Sequence, residues 1–217
     1  MSEILDLLKG PMGKVLVEGA ASQLGMEKNK AGSAIEAALP LILGAMKNNA
    51  SEKTGAQNLL EALENSRHNG GILDNLENIL GGNQIDDDVL QDGEGILGHV
   101  FGNNQRQKNV ATAVSKSSGI DMRQALNILK VAAPVVMGLL GKEKRQQNIT
   151  NPSDLQGLLG GLLGGNSQQS QSMVTRLLDA DGDGSIIDDV AGMLLNSGNK
   201  KNGGLLGNVL GSIFGGK

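Results

Sequence analysis

Apolar residues recur every three to four positions through most of the chain, and no stretch alternates apolar and polar with the period of two that a strand requires. The pattern predicts an all-α fold. Ile4, Leu5, Leu7 and Leu8 predict a short amphipathic helix ended by Gly10-Pro11. A second helix is expected over about Gly13 to Gln23, with Leu16, Val17 and Ala20 on one face and Gly25 as its stop. The next run, Ala31 to Met46, contains Pro40, which has no N–H and would crowd the carbonyl of Glu36. That helix is expected to kink or split there. After a polar linker that follows Asn48-Asn49, Leu59, Leu60 and Leu63 predict another helix. Leu155, Leu158, Leu159, Leu162 and Leu163 predict its counterpart, with Thr150-Asn151-Pro152-Ser153 as a turn and N-cap leading into it.

The chain contains a copy of its own motif. An offset of 94 positions superposes Pro134 on Pro40, Gly119 on Gly25, Ile120 on Met26, Ala125 on Ala31, Leu129 on Ile35 and Gly138 on Gly44. The expected architecture is therefore a multihelical array of two related units, residues 1–102 and 103–217, each built on a Pro-kinked core helix. A further element recurs, since Gly95-Ile-Leu-Gly98-His-Val-Phe-Gly102 resembles Gly204-Leu-Leu-Gly207-Asn-Val-Leu-Gly211. Glycines at this spacing read as close helix packing, or, more sharply, as a self-association or lipid-surface face.

Composition narrows the function classes. Hydrophobic residues make up 39% of the chain but aromatics only 1%, so the core must be aliphatic, with few of the rigid side chains that anchor pockets and interfaces. Glycine, at 33 of 217 residues, is about twice its usual share. A net charge of −4 gives no reason to expect nucleic acid as a partner. Without cysteine there is no disulfide, thiolate or cysteine–metal chemistry. The opening Met1-Ser-Glu-Ile-Leu-Asp carries acids where a secretion signal needs bases, which leads us to expect a cytoplasmic protein. Ala37 to Met46 and Val131 to Leu140 fall short of the roughly 20 apolar residues of a membrane-spanning helix and are expected in the core.

The most specific chemical motif is Asp179-Ala-Asp181-Gly-Asp183-Gly184-Ser185-Ile-Ile-Asp188-Asp189-Val190. Its first seven positions match an EF-hand calcium loop, with carboxylates at one, three and five, glycine at six and a backbone carbonyl from Ser185 at seven. Val190 stands where the bidentate Glu belongs, so Asp188 or Asp189 would have to close the site. Five Asp within eleven residues repel one another unless a cation is present, which points to calcium. The same residues also read as a turn and cap at the start of a helix. Ile85-Asp86-Asp87-Asp88-Val89 echoes the loop's end, but Asn78, Leu80 and Gly82 stand where the leading Asp would be.

Little else suggests catalysis. His68 lies in the polar turn Asn65 to Asn69, and His99, aligned with Asn208 in the second copy, reads as a surface or capping position. Neither has a nucleophile or metal-ligand pattern beside it. Asp86, Asp87, Asp88, Asp92 and Glu94 could be imagined as a hydrolase's carboxylate pair, but they read better as a solvated acidic turn. The run Lys142-Glu143-Lys144-Arg145 reads as an exposed linker.

The repeat, Gly119-Ile-Asp with Ala132-Ala-Pro134-Val-Val-Met-Gly138, together with Leu177 to Val190, resembles the YidB-like family of bacterial proteins of unknown function. That resemblance implies a multihelical, bacterial protein and carries over no activity. The expectation is a non-enzymatic interaction or scaffold protein that docks a protein partner or itself, with contact to a membrane surface left open. A calcium-responsive protein using Asp179, Asp181, Asp183, Ser185, Asp188 and Asp189 is the alternative.

Overall fold

In the computed structural model of the protein, the described residues are 10–74, 76, 79 and 86–163. Among them are eight helices and no strand: α1 (Pro11–Gln23), α2 (Lys28–Asn49), α3 (Lys53–Glu64), α4 (Gly71–Asp74), α5 (Asp87–Phe101), α6 (Asn104–Ser118), α7 (Met122–Gln146) and α8 (Pro152–Leu162). The expected N-terminal helix, the Asp179 to Asp189 loop and the Gly204 to Gly211 element lie outside the described residues.

Local chemistry sets most of these boundaries. Pro11 occupies the first turn of α1, where its missing N–H costs nothing. Asp121 caps α7 by accepting from the Gln124 N–H at 2.8 Å, while the Gln124 side chain accepts from the Asp121 N–H at 3.2 Å, a reciprocal capping box. Asn151 caps α8 by accepting from the Asp154 N–H at 3.0 Å, with Pro152 in the first turn.

The paired glycines adopt the same turn. Gly25 and Gly119 both lie in the left-handed region, at φ 62° and 67°. Beside them the Met26 N–H donates to Ala21 O (3.0 Å) and the Ile120 N–H to Ser115 O (3.2 Å), again 94 positions apart. This is the five-residue closure of a Schellman stop. The helices that follow both run through their prolines without a break, α2 past Pro40 and α7 past Pro134. Their surroundings differ, however. Pro40 and Glu36 are exposed, so water can serve the Glu36 carbonyl that Pro40 leaves without a donor. Pro134 is buried.

α7 is the helix on which the others are assembled. It packs against α2, α3, α4, α5, α6 and α8, and every residue from Val131 to Gly141 is buried. A helix that is apolar all round belongs inside. Among the described residues only α7 is long and apolar enough to cross a membrane, and 72% of its apolar window is buried within the protein. α2 packs against α7 and also against α1, α5, α6 and α8. One hydrophobic core joins these helices and includes residues on both sides of position 102, among them Ile35, Leu43, Phe101, Leu129 and Leu140.

The run Lys142 to Arg145 is not a linker. It forms part of the end of α7, where cations favour the exposed carbonyl end of the helix, and Lys144 Nζ pairs with Glu64 at 3.3 Å.

Glycine sets the closest approaches between helices, but not the glycines that the spacing pointed to. A Cβ added at Gly95 or Gly98 of α5 would meet nothing within 4 Å, and Gly102, at φ 74°, ends that helix. The glycine of α5 that permits contact is Gly93. A Cβ there would overlap the carbonyl oxygen of Lys130, the acceptor that Pro134 deprives of its helical N–H. The helix made short of one donor by proline thus meets its neighbour at a backbone with no side chain. At the other end of α7, a Cβ on Gly141 would overlap the His68 carbonyl.

Candidate functional site

α3 and α5 wall a groove of about 970 Å³ that reaches down to the buried Met46 of α2 and Met137 of α7. On one side stand Asn58, Leu59, Glu61 and Ala62, and on the other Gln91, Asp92, Gly95, Ile96 and His99. The turn containing Arg67 and His68 closes one end. Leu59, Ala62 and Val100 are half-buried, whereas Glu52, Glu61 and Arg67 on the rim are exposed. The groove has an apolar interior, a polar edge, and at Gly95 a wall with no side chain.

Its end is fixed by α7. The turn after α3 is tied locally, with the Arg67 N–H donating to Asn65 Oδ1 (3.0 Å) and the Gly71 N–H to Asn69 Oδ1 (3.1 Å). Gly70, at φ 99°, lets this turn press on α7, and an added Cβ would stand 3.1 Å from Lys142 Cβ and 3.3 Å from the Gly138 carbonyl.

His68 is consequently buried rather than displayed on the polar turn, with 8% of its surface exposed. Its Nδ1 lies 3.1 Å from Ala62 O, and its Nε2 lies 3.0 Å and 3.2 Å from the two carboxylate oxygens of Asp92. Both partners are acceptors, so the ring meets them fully only as a double donor. This bond fastens α5 to the end of α3 across one end of the groove. Asp92→Ala is expected to cost about 1–3 kcal/mol, and Asp92→Asn, which keeps an acceptor oxygen, less. Urea melts of the two variants check that order.

Asn49 closes the opposite end. Its Nδ2 donates to Val100 O (2.8 Å) and His99 O (3.2 Å), carbonyls in the last turn of α5 that have no helical donor. His99 itself is exposed, with Nδ1 2.8 Å from Gly95 O, as expected of a surface position near a helix end.

The acids once imagined as a catalytic pair serve α5 instead. Asp86 is its N-cap, accepting from the Asp88 N–H at 3.0 Å, and Asp87 and Asp88 are exposed in the first turn, where the helix dipole favours them. Glu94 pairs with Lys130 at 3.0 Å. Of this set only Asp92 faces the groove. The sequence signal for the groove is faint: a buried histidine bond between residues 24 apart cannot be read from either local segment.

A family model described as a bacterial protein of unknown function (DUF937) matches residues 6–143. The matched span contains both walls of the groove and ends before α8 and the Asp179 to Asp189 loop. No curated protein and no solved structure matches the chain.

Proposed function

We propose, from the premise that this chain belongs to the bacterial DUF937 family of unknown function, that it is a non-enzymatic helical binding module that receives an apolar protein segment in the groove between α3 and α5. The observation that carries this reading is the groove's combination of half-buried apolar residues Leu59, Ala62 and Val100, a bare wall at Gly95 and a polar rim. A wall without a side chain admits close approach, and a polar rim fixes orientation without closing the site.

Filling the groove tests the reading. Gly95 is an exposed helical position with open space around it, so Gly95→Phe is expected to leave stability within about 1 kcal/mol of the parent. A photo-crosslinker at Asn58 is expected to give one discrete cross-linked product in cells, within the chain or to a partner, and Gly95→Phe should abolish it. An adduct that survives Gly95→Phe would sink the proposal.

The spacing of Asp179, Asp181 and Asp183 before Gly184 favours a second reading, in which the chain binds calcium and responds to it. Calorimetric titration of the full chain with Ca²⁺ tests it. Saturable heat, lost in Asp181→Ala, supports a calcium site, and a flat titration removes it.

A further inference from the structure

We infer that the groove between α3 and α5 is a docking site for the chain's own segment Gly204 to Phe214. The inference rests on reading the groove as a peptide-binding surface, and it names the occupant.

Charge is the first argument. The groove's rim carries the exposed carboxylates of Glu52 and Glu61, with Asp92 already engaged by His68, against the single guanidinium of Arg67. From Ser197 to Lys217 the chain carries Lys200, Lys201 and Lys217 and no acid, although the whole molecule has a net charge of −4. The segment Gly204 to Phe214 is itself uncharged, and the lysines that flank it on both sides match an acidic rim.

Shape is the second. Leu205, Leu206, Val209, Leu210, Ile213 and Phe214 alternate with Gly204, Gly207 and Gly211. Such a segment offers apolar side chains to the half-buried Leu59, Ala62 and Val100, and it offers small residues where its backbone passes the walls. The same pattern at Gly95 to Gly102 lies in α5, whose Ile96, Leu97 and Phe101 are buried in the core. The pattern therefore carries a face that this core accepts.

Reach is the third. The described chain ends at Leu163, just past α8, which packs directly on the groove wall α3. Gln156 Nε2 of α8 donates to Ala50 O at 2.6 Å, next to Ser51 of the groove. Forty residues separate Leu163 from Gly204. Even as a coil they span about 35 Å, on the order of the diameter of a domain this size. Tethering at that length supplies an effective concentration approaching millimolar, so a weak intrinsic affinity fills the site.

The absence of native cysteine makes the test clean. In the full chain, Asn58→Cys with Ser212→Cys is oxidised in a glutathione redox buffer, and cross-linking is followed by non-reducing gel and peptide mass spectrometry. The reference pair is Gln105→Cys on α6, an exposed position that does not line the groove, with Ser212→Cys. Docking predicts intramolecular cross-linking at least tenfold faster for the groove pair, slowed to the reference rate by Gly95→Phe and reduced by Lys200→Glu with Lys201→Glu. Equal rates for the two pairs overturn the inference. Cross-linking of the groove pair that is intermolecular and concentration-dependent also overturns it, in favour of a second copy as occupant. If the rates are equal while Gly95→Phe still abolishes the Asn58 adduct, the docking inference fails and the groove's binding function stands.

Discussion

Phe101→Ala is expected to destabilise the protein by about 3–5 kcal/mol, measured as a lowered urea midpoint with an unchanged slope. Small domains have only about 5–15 kcal/mol in total, so this single change removes a large share. Phe101 is 2% exposed and ends α5 against the core that α5 shares with α2, α6 and α7. It is one of two phenylalanines in a chain without Tyr or Trp. The core it joins, which includes Val110, Val114 and Leu97, is built of short aliphatic side chains. They cannot swell to fill the space a ring leaves, so the cavity persists and adds to the lost transfer energy. Phe101→Leu keeps most of the volume and should cost less than about 1.5 kcal/mol. Equal losses from both substitutions would show that Phe101 does not fill a packed site.

Two glycines in one helix, two residues apart, are expected to respond in opposite directions to the same change. Gly93→Ala should destabilise by about 1–3 kcal/mol, because the new methyl would occupy the position of the Lys130 carbonyl oxygen and two helix backbones would have to separate. Gly95→Ala should stabilise by about 0.5–1 kcal/mol, because its methyl enters open space and alanine favours the helix. Thermal or denaturant melts of the pair give the sign directly. A stabilised Gly93→Ala would mean that α5 does not approach α7 as closely as described. The contact has a local cause in Pro134. By withholding an N–H from Lys130, proline leaves an acceptor on the face of α7 against which only a glycine backbone fits closely, where a Cα–H can point at the oxygen.

The turns were readable because their causes are short-range. Gly25 takes positive φ at the helix stop that the sequence places there, Gly119 does the same at the end of α6, and Asn151-Pro152 starts α8 as its composition implies. α6 shows the reverse. It has only Val110, Ala111, Ala113 and Val114 to bury, with a strongly polar remainder, so its apolar stripe is narrow; Asn103 as N-cap and Gly119 as stop were the available signals. The basic run at Lys142 looked like a linker because charge density suggests solvent, and only packing shows that α7 continues through it.

The candidate site was less legible than the fold. Its walls come from helices separated in sequence, and its ends depend on Asn49 reaching the carbonyls of His99 and Val100 and on His68 reaching Asp92. No local pattern marks such pairs, because a polar side chain in a polar turn is exposed by default and is buried only if another element covers it.

The sequence by itself determined the all-helical class, the stop at Gly25 and the aliphatic character of the core. Each follows from periodicity, backbone freedom or composition within about one helix length. The tertiary structure decided which proline is buried, which glycine is a contact, and which carboxylate faces the groove. Those outcomes depend on which neighbour lies against a given face, and in a chain where most helices carry similar Leu, Ala and Gly faces, only the closed packing around α7 selects among them.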